Sequence, residues 1–75
     1  MAYLPGEQVV WHTGPILQGR NRSRTYDIAA EVLQDGQLRV RIRITFANGE
    51  TAMRWVKPVN VQRATPEWCG ERYPD

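Results

Sequence analysis

The sequence predicts a small all-β fold: a five-stranded barrel with a long loop between its first two strands and an irregular C-terminal tail. Three observations carry that expectation. Apolar and polar residues alternate strictly from Leu38 to Phe46, they alternate again from Tyr26 to Leu33, and each stretch is followed by a turn signal, Asn48-Gly49 and Asp35-Gly36. A period of two puts one set of side chains on one face of a strand, whereas a helix would scatter the same residues around its circumference.

The longest alternation places Leu38, Val40, Ile42, Ile44 and Phe46 on a dry face and Arg39, Arg41, Arg43 and Thr45 on a wet one. Asn48-Gly49 is a strong hairpin signal, because a two-residue type I′ turn needs positive φ at both central positions. Such a turn sets Phe46 opposite Thr51, Ile44 opposite Met53 and Ile42 opposite Trp55, so Met53 and Trp55 are expected inside and Arg54 outside, facing Arg43. Upstream, a three-residue Gln34-Asp35-Gly36 loop sets Val32 by Leu38, Ala30 by Val40 and Ile28 by Ile42, with Glu31 beside Arg39 and Asp27 beside Arg43. This register is preferred because a slip of one residue would bury Glu31.

Residues 26–56 then form a three-stranded meander. A short apolar strand, Glu7 to His12, precedes it behind the turn pair Pro5-Gly6. Pro58 stops the fourth strand, and a single 3₁₀ turn is expected to deliver Val59 and Val61 to a short fifth one. Residues 13–25 read as a loop, residues 1–62 as the barrel, and residues 63–75 as a tail. Trp68 and Tyr73 make that tail too aromatic for a solvated end, so it is expected to pack on the barrel or on a partner chain.

Composition narrows the function. Seventy-five residues hold one domain. A single cysteine, Cys69, allows no internal disulfide, and a single histidine, His12, has neither a nucleophile nor enough partners for a metal site. There is no phosphate-binding loop or dinucleotide fingerprint, so no cofactor, metal or catalytic activity is expected. No apolar run is long enough to span a bilayer, and Met1 to Glu7 lacks the character of a signal peptide, so the cytoplasm rather than a membrane is the expected location. Residues 1–62 carry eight arginines and lysines against five acids, and residues 63–75 carry two against three: a mildly basic body with a slightly acidic tail. That balance is weak evidence for nucleic acid.

Two sets of residues are candidates for a binding site. Arg20, Arg22 and Arg24 alternate in the long polar loop, where three guanidiniums can reach separate phosphates or carboxylates in fork geometry. Arg41 and Arg54 are the sheet arginines left without an acidic neighbour in the expected register. The other reading of these charges is a solvated sheet face and a solubilising loop. Trp11 and Tyr26 flank the loop and offer a stacking surface if they converge at its base; the alternative is that they belong to the core. The expected ligand is nucleic acid or an acidic protein surface. A protein-interaction or assembly module, contacting through a sheet edge or the Trp68 tail, is the alternative.

The segments Gly6-Glu7-Gln8-Val9-Val10-Trp11, Tyr26 to Val32, Arg39-Val40-Arg41-Ile42 and Trp55-Val56-Lys57-Pro58 resemble a group of small bacterial SH3-like proteins of unknown function, over roughly residues 5–62. The chain is more loosely similar to Tudor and KOW modules, which bind modified peptides, nucleic acid or ribosomal partners. The resemblance implies an SH3-like barrel and a non-catalytic binding module. Plasmid type II dihydrofolate reductases are also small SH3-like barrels and act as oligomers. Val59-Asn60-Val61-Gln62 stands where their late motif would, without its tyrosine, which makes an oligomeric enzyme the remote reading.

Overall fold

The computed structural model describes residues 3–13, 16–18, 22–24 and 26–73. Among the described residues seven strands form, in chain order β1 (Gln8–His12), β2 (Ile16–Gln18), β3 (Arg22–Arg24), β4 (Asp27–Asp35), β5 (Val40–Thr45), β6 (Thr51–Val56) and β7 (Val61–Arg63). Five of them make one antiparallel sheet in the order β6-β5-β4-β1-β7, and β2 and β3 pair with each other as a separate arm. The protein is all-β, as its alternating pattern predicts, and a 3₁₀ turn at Pro58–Asn60 leads into β7 where proline was expected to end β6. No ladder joins β6 to β7 among the described residues, so the sheet is not closed into a barrel.

The core lies on one face of this sheet. Val9, Ile28, Ala30, Val32, Val40, Ile42, Ile44, Val56 and Val61 are buried there with Tyr26, and Tyr3, Trp11, Phe46, Ala52 and Tyr73 pack around the rim. Alternation along β4 and β5 supplies most of it, since every second residue turns inward. β4 belongs to two ladders: Asp27–Glu31 pairs with β1, and Ala30–Asp35 pairs with β5.

The stretch 13–25, expected as a loop, contains the paired strands β2 and β3. Two further hairpins differ from the sequence expectation. Between β4 and β5 the observed pairs are Ala30–Ile44, Glu31–Arg43 and Val32–Ile42, and after an irregularity at Leu33, Gln34–Arg41 and Asp35–Val40. Before the bulge this is four residues from the expected register. An even shift leaves the inward set inward, which is why the core was read correctly and the partners were not. Asp35 stays in the strand, where its carboxylate accepts the Tyr3 amide at 2.6 Å. The turn is therefore pushed to residues 36–39. Leu38, expected inside, stands at that turn and is 86% exposed. Phe46, expected inside with it, packs at the edge of the core instead.

Between β5 and β6 the shift is one residue. The Phe46 amide donates to Glu50 at 2.7 Å and the Gly49 amide to Phe46 at 2.9 Å, with Gly49 at φ 92°. This is a three-residue loop ending in a left-handed glycine, rather than the two-residue turn that Asn-Gly suggests. An odd shift reverses every side chain of β6. Met53 and Trp55 face outward, Val56 faces inward, and Arg54 lies opposite Ile42 rather than Arg43.

The tail is part of the sheet. β4 and β5 part at their far ends, and residues 71–73 enter the gap in parallel orientation, bridging Ile28 with Glu71 and Phe46 with Tyr73. Glu71 donates to Asp27 and accepts from Ala29, each at 2.9 Å; Tyr73 donates to Thr45 at 2.8 Å and accepts from Ala47 at 3.0 Å. The Tyr73 ring stacks on Trp11 at 6.2 Å and meets Phe46 edge-on at 5.6 Å. On the opposite face, Trp68 leans on the His12 ring at 5.3 Å. Val10 shares that face and is fully buried. No helix among the described residues is long and apolar enough to cross a membrane.

Candidate binding face

The register of β5 and β6 creates the site. Val40, Ile42 and Ile44 point into the core, so Arg41, Arg43 and Thr45 point away from it. Their partners across the ladder are Trp55, Met53 and Thr51. Cross-strand partners share a face and have β-carbons about 5 Å apart. An indole, a thioether and two guanidiniums are thereby gathered on one outer surface.

Trp55 is 47% exposed and Met53 58% exposed. Arg41 donates from Nη2 to the Met53 Sδ at 3.1 Å and forms no ion pair among the described residues. Arg43 is engaged by Glu31 in a salt bridge between its Nη2 and the Glu31 Oε1. At the end of this face lies the turn of residues 36–39, carrying the exposed Leu38 and Arg39. The turn is braced by Trp55 itself: a β-carbon built on Gly36 would lie 3.3 Å from Trp55 Cζ3 and 2.8 Å from the Arg39 carbonyl oxygen. Gly36 thus leaves the room in which one edge of the indole packs, while much of the ring stays open to solvent. The result is an exposed apolar pair, Trp55 and Met53, beside Arg41, with Leu38 and Arg39 exposed on the adjoining turn and neither arginine in an ion pair among the described residues.

Among the described side chains, Trp11, Tyr26, Arg41 and Arg54 are not brought together. Tyr26 is only 6% exposed and sits in the core, its amide donating to the Thr13 hydroxyl at 3.0 Å, so it is not available to a ligand. Trp11 is half-buried beneath Tyr73. Arg54 is exposed, but lies on the opposite face of β6 from the Arg41–Trp55 pair. Arg22 and Arg24 stand on β3, paired with Gln18 and Ile16, and Arg20 lies outside the described residues. Trp55 and Met53 were missed because they were assigned to the interior. The signal that finds them is the length of the loop after Phe46.

A second polar cluster lies on the outer face of β1. His12 Nδ1 is 2.6 Å from Asp27 Oδ1, and Nε2 is 3.4 Å from Gln62 Oε1. With Trp68 over the ring, His12 ties β1, β4, β7 and the tail together, which is a structural role. At the opposite end of the sheet, Glu7 pairs with Arg63, whose guanidinium also lies 4.8 Å over the Tyr3 ring. Among the described residues no group of His, Cys, Asp and Glu is placed to hold a metal ion, and Cys69 is free and exposed.

Set against family models, curated proteins and solved structures, the chain matches none of them.

Proposed function

We propose that this chain is a non-catalytic binding module of SH3-like build, and that its ligand is an acidic polypeptide held on the β5–β6 face around Trp55. The SH3-like reading is supported by the strand order β6-β5-β4-β1-β7, by the arm between β1 and β4, and by the 3₁₀ turn before the last strand. One observation carries the function: an exposed tryptophan and methionine lie beside Arg41, which has no acidic partner among the described residues, on a face that the fold does not need for its core. Tryptophan, methionine and arginine are the residue types enriched at the centres of protein interfaces. Arg41 and Arg39 beside the patch and the exposed Arg54 on the other face of the same strand favour an acidic partner, the nearby Glu31 being engaged by Arg43. A cytoplasmic setting, which keeps Cys69 reduced, belongs to the same proposal.

Nucleic acid is the second reading, favoured by Trp55 beside a guanidinium, a pairing that suits base stacking. It is the weaker one here, because Arg41 and Arg54 do not line one groove along which a phosphate backbone would run.

The test is a calorimetric titration of the full chain with a heptapeptide of alternating glutamate and valine, and with a single-stranded oligonucleotide. The peptide is expected to bind, and Trp55→Ala to weaken it about tenfold or more. Its affinity should fall only modestly with salt. Binding of the oligonucleotide alone, with an affinity that drops steeply with salt, would instead favour the second reading. Binding of neither probe, or no effect of Trp55→Ala, rejects this face as the site.

A further inference from the structure

β6 is an edge strand among the described residues: it pairs with β5 on one side and no described strand pairs with it on the other. Natural sheets blunt such edges with proline, bulges, cover or several charges. The six residues Thr51–Val56 are regularly paired with β5 throughout, contain no proline, and carry a single charge, Arg54.

The direction of the free backbone groups follows from the turn. Phe46 and Glu50 form a hydrogen-bonded pair. In an antiparallel ladder hydrogen-bonded and non-hydrogen-bonded pairs alternate, so Ala52, Arg54 and Val56 turn their N–H and C=O groups toward β5. The same groups of Thr51, Met53 and Trp55 then point to the open edge. The residues whose side chains make the exposed patch are therefore also those whose backbone is unpaired.

We infer that β6 accepts an extended acidic segment as an added strand. The inference rests on the reading of the Trp55 face as the binding site and states how the ligand is held there. Main-chain hydrogen bonds to Thr51, Met53 and Trp55 supply the pairing, and alternate side chains supply the choice of partner. Apolar residues of the incoming strand lie beside Met53 and Trp55 on the outer face. Acidic residues lie on the other face, beside Arg54. A second copy of this chain fits worse, because it would bring another Arg54, with Arg41 and Arg39 nearby, to the same seam.

The experiment uses the full chain labelled with ¹⁵N and two heptapeptides, one alternating glutamate with valine and one alternating lysine with valine. Amide exchange at Met53 and Trp55 and the Trp55 indole resonance are followed together. The glutamate peptide is expected to shift the indole and to slow exchange at both amides about tenfold or more. The lysine peptide should do neither, and Arg54→Glu should invert that preference. An indole shift with unchanged amide exchange keeps the Trp55 face as the binding site and overturns strand addition. Equal protection by the lysine peptide overturns the acidic choice. Absence of any change at either probe removes both the strand addition and the face on which it rests.

Discussion

Trp55 stands directly opposite Arg41 across the β5–β6 ladder, with its indole edge against Gly36 and much of its ring in solvent. Much of an aromatic side chain that a domain of this size would normally bury is thus left outside its core. The core is built instead from β-branched residues on β4 and β5.

That placement predicts an unequal cost of truncation. Ile42→Ala removes a fully buried side chain and should cost about 2–5 kcal/mol in urea denaturation. Trp55→Ala, despite the larger side chain, should cost only about 1 kcal/mol, and Leu38→Ala should stay within about 0.5 kcal/mol. A loss at Trp55 as large as at Ile42 would mean that the indole is core after all.

The glycines separate two kinds of constraint. Gly49 has φ 92° with open space around it, so Gly49→Ala meets only the left-handed backbone penalty, about 1–2 kcal/mol. Gly70 has φ 81°, and a β-carbon there would sit 2.6 Å from the Ala29 nitrogen and 3.0 Å from its Cα. Those are backbone atoms of β4 and cannot turn aside. Gly70→Ala should therefore cost more than Gly49→Ala, and it should also speed exchange of the Ala29 amide, which donates to Glu71.

Docking of the tail should be measurable at Tyr73. Tyr73→Ala removes a ring that touches both Trp11 and Phe46 and should lower stability by about 2 kcal/mol. Exchange at Ala47, whose amide donates to the Tyr73 carbonyl, should rise with it, while the Gly6 amide, bonded to Val32 elsewhere in the sheet, should not respond. Unchanged stability would show that residues 71–73 are dispensable to the sheet.

The Glu31–Arg43 pair is partly exposed on both sides. A double-mutant cycle of Glu31→Gln and Arg43→Gln is expected to give a coupling of about 0.2–1 kcal/mol, shrinking in high salt. A cycle pairing Glu31 with Arg39, the partner expected from the sequence register, should give none.

The five strands of the main sheet, their order in the chain, the 3₁₀ turn at Pro58 and the inward set Ile28, Ala30, Val32, Val40, Ile42 and Ile44 were legible in the sequence, whereas the short β2–β3 pair was not, because residues 13–25 carry no clear alternation of apolar and polar residues and read as a loop. A period of two is a local property, and it survives even shifts between strands. Which residue of one strand meets which of the next was not legible, because register is settled by turn length. Turn length was decided by contacts distant in sequence, such as the Tyr3 amide on Asp35, and by Gly49 closing a three-residue loop. An odd shift of one residue moved Met53 and Trp55 from the expected core to the outer face, so the candidate site is a product of tertiary structure. The same holds for the tail. Its aromatic residues announced that it packs, but the place that receives Tyr73 exists only where the β4–β5 ladder ends at Ala30–Ile44, which the register decides.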